Sequence, residues 1–272
     1  MNCAVISRRR ATPLETPMKT KNQLALAPWV FTVGFFILWE VVCRALKVSS
    51  FILPAPSTIL LAVWEYRNQL AYHAMHTLWM TLAGFGLAVG FGLLLGMVLG
   101  SSRLINAGSY PLLVGFNSIP KVAVVPILVF WFGVGWVPPV LTAFLISFFP
   151  IVVNVATGIA TVEPEMEDVL RALGASKRDI VFKVGVPRAM PYFFGSLKVA
   201  ITLAYVGSVI GEQNASNVGI GNLLTRASAA FEVPLVWAAL VVLAVLGVVM
   251  YAATAYVEQS MTGWAQRSQM AA

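Results

Sequence analysis

Charge is scarce in this chain. Only 11% of its 272 residues are Asp, Glu, Lys or Arg, while 59% are hydrophobic and the mean hydropathy is +0.83. A soluble domain carries about twice that charge, so a water-soluble globule is excluded. Cysteine is nearly absent: Cys3 and Cys43 provide neither a disulfide framework nor a metal-ligand spacing. The two histidines, His73 and His76, stand i, i+3 with no third ligand nearby, and read as interfacial side chains, not as a metal site. No Gly-x-x-x-x-Gly-Lys-Ser/Thr run occurs, so this chain has no phosphate loop for hydrolysing ATP and no cofactor of its own is expected. No His/Asp/Glu cluster or nucleophile–base pair argues for an intramembrane enzyme. The apolar runs are continuous instead of alternating, which excludes a β-barrel.

What is present is a set of about six apolar stretches long enough to cross a bilayer. They run roughly from Ala27 to Arg44, Leu78 to Gly100, Tyr110 to Gly133 with breaks at Pro120 and Pro126, Val140 to Ile159, Tyr192 to Ile210, and Leu235 to Val257. The fold class expected is an all-α membrane protein. Between the first two spans a turn at Leu53-Pro54-Ala55-Pro56 precedes Ser57, which can cap an interfacial helix carrying Ile59, Leu60, Val63, Trp64 and Leu70 on one face. Glu65, Arg67, Asn68 and Gln69 interrupt that face. Trp131, Trp136 and Trp237 read as interfacial anchors.

The net charge of +7 belongs to loops facing the cytoplasm, not to a nucleic-acid surface. With the N-terminus inside, segments 1–26, 101–109, 160–190 and 258–272 hold twelve Lys and Arg, against Arg44, Lys47, Arg67 and Arg226 on the other side. That bias predicts an N-in, C-in topology. The expected organisation is a disordered cytoplasmic tail over 1–23, a transmembrane domain over 24–260 with a polar loop at 163–187, and a second cytoplasmic tail over 261–272. Ser7-Arg8-Arg9 is not read as an export signal, because Thr12-Pro13-Leu14-Glu15-Thr16-Pro17 follows where an apolar stretch is required.

The polar loop has local signals for two short helices. Pro164 suits a first helical turn, and Glu165, Glu167 and Asp168 sit where the helix dipole favours negative charge. Glu167 and Arg171 form an i, i+4 pair. Gly174 can end the helix in a left-handed conformation, and Ser176 with Asp179 forms a capping box for the next one, which Val186-Pro187 ends. Such a pair offers a docking surface to a soluble partner. An ordinary amphipathic loop is the plainer reading.

This segment resembles the signature loop of importer permeases of the ATP-binding-cassette class, which is Glu-Ala-Ala, three residues, Gly, nine residues and Ile-x-Leu-Pro. Asp168-Val169-Leu170, Gly174, Val184 and Val186-Pro187 stand at that spacing, with Asp for Glu, Val-Leu for Ala-Ala, and Val for Ile and Leu. Leu173-Gly174-Ala175-Ser176 also matches. Ile119-Pro120, Pro126, Trp131-Phe132-Gly133-x-Gly135, Phe148-Phe149-Pro150, Ala189-x-Pro191 and Gly219-Ile220-Gly221 are similar to the branch that carries nitrate, taurine and aliphatic sulfonates. The resemblance implies ATPase-coupling roles for Asp168, Arg171, Leu173, Gly174, Ala175, Ser176 and Pro187. It also implies two ATPase subunits holding ATP and Mg, an extracytoplasmic solute-binding protein, a second copy of this chain, and a bacterial cytoplasmic membrane. The solute expected is a sulfonate, taurine, nitrate or a similar small molecule, with a heterocyclic vitamin precursor as the alternative.

Ionisable groups within spans are costly and point to function or to pairing. Lys121, Glu212 and the adjacent Gln213 are candidates for the translocation path, with a structural role as the alternative for each ionisable group. Glu40 reads as structural, and Lys198 as a lysine reaching toward the cytoplasmic side. An ion-driven secondary transporter using Glu40, Glu212 and Lys121 is the rival class; against it, no duplicated broken-helix pattern is found. The glycines Gly86, Gly90, Gly92, Gly96 and Gly100 read as helix packing within one bundle, with a subunit interface as the alternative.

Overall fold

The computed structural model describes residues 18–161 and 164–270, and all regular structure there is helical. The chain divides into two compact units, residues 1–58 and 59–272. In the first, α1 (Met18–Ala45) contains the apolar stretch Leu26–Ala45. It begins inside the segment expected as a tail; residues 1–17 lie outside the described residues. The cap expected of Ser57 comes instead from Glu40. Helix α2 (Pro56–Glu65) starts two residues earlier than a Ser57 cap would place it, with Pro56 in its first turn. The Ser57 N–H donates to Glu40 Oε2 at 3.0 Å and the Ser57 hydroxyl to Oε1 at 2.7 Å. A carboxylate thus meets the positive end of the helix, and Arg44 Nε pairs with it at 2.6 Å.

The second unit is the helical bundle. Helix α3 (Arg67–Gly100) starts eleven residues before the expected span. Tyr66 breaks the chain from α2, so Arg67, Asn68 and Gln69 open the span instead of extending the interfacial helix. The next span is broken once, not twice: α4 (Arg103–Ser118) and α5 (Lys121–Phe132) meet at Ile119-Pro120 with a bend of 84°. Ile119 is extended (φ −69°, ψ 126°), as a residue before proline prefers. Pro126 removes one N–H and stays inside α5. Helix α6 (Val137–Ala160) follows, then α7 (Pro164–Ala172), α8 (Lys177–Ile180), a π-helical turn (Val181–Gly185), α9 (Val186–Ala215), α10 (Ile220–Ala229) and α11 (Val233–Met270). Helix α11 runs past Val257, through the stretch expected as a tail.

Among the described residues five helices are long and apolar enough to cross a membrane, and α4 with α5 supplies a sixth crossing if taken as one broken span. The core sits where α6 packs between α3 and α9. Close approach there depends on missing side chains. A Cβ on Gly96 would lie 2.7 Å from Val155 Cβ, and one on Gly211 only 2.5 Å from Pro139 Cα. Gly84, Gly92 and Gly100 face α6 in the same way, whereas Gly86 and Gly90 face open space. The bundle-packing reading therefore holds for Gly92, Gly96 and Gly100 and not for the other two.

Candidate docking element and membrane site

The loop after α6 folds as two helices joined at Gly174. Gly174 has φ +87°, a conformation that costs a side-chain-bearing residue energy and glycine almost none. The Ala175 N–H donates to Leu170 O and the Gly174 N–H to Arg171 O, both at 2.9 Å. This paired closure satisfies the last carbonyls of α7. Two residues on, Asp179 N–H donates to Ser176 Oγ at 3.2 Å, while the Ser176 N–H and hydroxyl both donate to Asp179 Oδ2. That is the reciprocal capping expected from the spacing. Asp179 also pairs with Lys183 at 2.6 Å.

Other expectations for the loop fare differently. Arg171 lies 3.9 Å from Asp168. Glu167, its expected partner, falls outside the residues whose side chains are described. Leu173 and Val169 are 79% and 60% exposed. Apolar side chains held outward by a rigidly capped joint make a surface that water alone does not favour. Val186-Pro187 does not end the second helix. Pro187 stands in the first turn of α9, and the π turn before it carries the helix through: Val186 N–H reaches Val181 O. From Arg178 to Ala215 the chain is one helix of 38 residues.

A second polar constellation lies at the far end of α9. Three successive backbone N–H groups opening α10 are held by side chains from α3 and α9. The Gly219 N–H donates to His73 Nδ1 at 3.1 Å, Ile220 to Thr77 Oγ1 at 2.8 Å, and Gly221 to Glu212 Oε2 at 2.9 Å. The Thr77 hydroxyl donates to Glu212 Oε2 at 2.9 Å, which closes the ring. Orphan donors of a helix start are thereby satisfied out of reach of water. Glu212 is 0% exposed, and Gln213 beside it is half-buried. His73 is buried. Neither it nor Thr77 was singled out as a site from the sequence; Gly219-Ile220-Gly221 was the available signal. Among the described residues no group of three or more His, Cys, Asp and Glu could hold a metal.

Lys121 stands at the α4–α5 break. Its ammonium donates to Phe116 O at 3.1 Å, to Asn117 O, and to Asn117 Oδ1 at 3.3 Å. A cation on the free carbonyls of a helix C-terminus is favourable, so the lysine finishes α4. It also borders a cavity of about 430 Å³ between the break, Phe149 and Pro150 of α6, and Leu203 of α9. Lys198, expected to reach toward the cytoplasmic side, pairs with Glu258 of α11.

Residues 88–263 match the family described as the binding-protein-dependent transport system inner membrane component. The chain belongs to this family. It is 31% identical to the formylaminopyrimidine transport permease protein of Halalkalibacterium halodurans over 92% of this chain and 100% of that one. It is 32% identical to the riboflavin transport system permease protein of Chloroflexus aurantiacus over 94% of this chain and 96% of that one. Permeases named for aliphatic sulfonates and for nitrate are further relatives, which puts this permease in the branch read from its motifs. The fold matches a chain of the inward-facing MetNI methionine transporter with a TM-score of 0.61 at 20% identity, covering 72% of this chain and 97% of that one. Membership in the family implies ATPase and binding-protein partners for this permease.

Proposed function

We propose that this chain is the membrane-spanning permease subunit of an ATP-driven importer in a bacterial cytoplasmic membrane. Both termini and the 163–187 loop face the cytoplasm. The exposed apolar side chains Val169 and Leu173, on a joint fixed by Gly174 and the Ser176–Asp179 box, carry the docking reading. Asp168, Arg171, Ala175 and Pro187 complete the element. Each ATPase in a dimer offers one groove and this chain has one docking element, so two copies pair with two ATPase subunits. ATP and Mg are bound by the ATPase, and the solute arrives on an extracytoplasmic binding protein.

The solute we infer is a heterocyclic vitamin or vitamin precursor, because relatives at 31% and 32% identity over nearly the whole chain are named for formylaminopyrimidine and riboflavin. A small anion such as a sulfonate, taurine or nitrate is the second reading. It is favoured by relatives of those names and by the cavity that Lys121 borders; in this reading Lys121, Glu212 and Gln213 line the solute's path. Reconstitution with the ATPase and binding protein should give vanadate-sensitive uptake of formylaminopyrimidine or riboflavin that survives an uncoupler. Uptake of taurine or nitrate alone would select the second reading. Uptake abolished by the uncoupler and indifferent to vanadate would overturn the ATP-driven mechanism.

A further inference from the structure

The docking element and the ring around Glu212 lie at opposite ends of one helix. From Arg178 to Ala215 the backbone is uninterrupted, and 38 residues span roughly 57 Å at the helical rise. The α8 end carries the exposed Phe182 and Lys183. At the other end Glu212 is joined to α3 through Thr77, and both are joined to the start of α10. Close contacts of Gly207 and Gly211 with Ala143 and Pro139 lie within about a turn of that ring. Sliding α9 along α3 there would part Thr77 from Glu212 and pull α10 away either from Glu212 or from His73 and Thr77, leaving one or two N–H groups without acceptors in a place sealed from water, which is costly.

We propose that Glu212, Thr77 and His73 are positioning residues for transport. They clasp the far end of the α8–α9 rod to α3, so that movement of the docking element turns the rod about a fixed point. The inference rests on the docking reading above. Acceptor geometry, not charge, is what the clasp uses. Glu212 Oε2 takes two donors, while Oε1 and the Ser208 hydroxyl, one turn back on α9, are both buried. A glutamine keeps one acceptor oxygen for the loop and turns an amide toward the other position.

The test uses the full chain co-purified with its ATPase, lacking Cys3 and Cys43 and carrying Asn217→Cys in the exposed loop beside the ring. Thiol labelling is timed with and without ATP plus vanadate. In the parent, in Glu212→Gln and in Thr77→Ser, the two rates should agree within about two-fold. In Thr77→Val and Glu212→Ala they should differ by about ten-fold, the size of effect expected when buried donors lose their acceptor. Simple loss of stability would raise both rates together and leave their ratio unchanged, as would a clasp with no role. A parent whose labelling depends strongly on nucleotide overturns the clasp alone. So does a Glu212→Gln chain behaving like Glu212→Ala, since charge would then be the property that matters. A parent that retains no ATPase overturns the docking reading and this inference with it.

Discussion

Lys198 Nζ on α9 lies 2.7 Å from Glu258 Oε2 on α11, with the two side chains 31% and 14% exposed. A lysine near a span end can reach water alone. Here it meets a carboxylate and ties two spans together. Lys198→Met leaves Glu258 largely desolvated without its cation, a loss of about 1–3 kcal/mol. The exchange Lys198→Glu with Glu258→Lys should recover most of that. Thermal unfolding of the four chains of this double-mutant cycle in detergent measures the coupling. Additive losses would mean that the pair contributes nothing.

Gly174 sets the docking joint through its positive φ. Gly174→Val should insert normally and lose most ATPase association, because a β-branched residue in that conformation is strained by about 1–2 kcal/mol or more. Gly174→Ala should lose less. A Cβ there meets nothing within 4 Å, so backbone conformation alone is tested. Co-purification of the ATPase with each variant gives the answer. Full binding and coupling by Gly174→Val would remove the joint from the mechanism.

Gly96 and Gly90 belong to one helix and have opposite surroundings. A Cβ on Gly96 would press on Val155, and one on Gly90 meets nothing within 4 Å. Gly96→Leu should therefore destabilise the α3–α6 seam by about 1–3 kcal/mol or more, while Gly90→Leu stays near neutral. Melting of the purified chains separates the two. Equal losses would place Gly90 in an interface of its own.

Topology is tested by a non-permeant thiol reagent on chains lacking Cys3 and Cys43. Asn217→Cys should label in intact cells, and Arg178→Cys only after permeabilisation. Labelling at 178 from outside would reverse the orientation and end the docking argument.

Features fixed by neighbours in sequence could be read from it. The caps at Gly174, Ser176 and Asp179 involve residues three to five apart. Apolar runs located the spans because lipid demands continuous apolar helix. Pro187 misled because a proline fits both a helix end and a first turn, and only the π turn before it decides. The ring around Glu212 was not legible: His73 and Thr77 meet their partners 146 and 143 residues away. No periodicity encodes such a distance. Glu40 capping Ser57 across 17 residues was missed for the same reason.

The break at Ile119-Pro120 bears on how the protein is made. Helices α4 and α5, with 16 and 12 residues, reach about 24 and 18 Å, and neither crosses a hydrocarbon core of about 30 Å alone. Insertion machinery that judges one segment at a time meets two substandard candidates with a proline between them. Their place in the bilayer depends on a neighbour, and α5 finds it in α6, which emerges from the ribosome afterwards. At this bend α5 leans on a helix made after it, whereas α4 packs on α3, made before it.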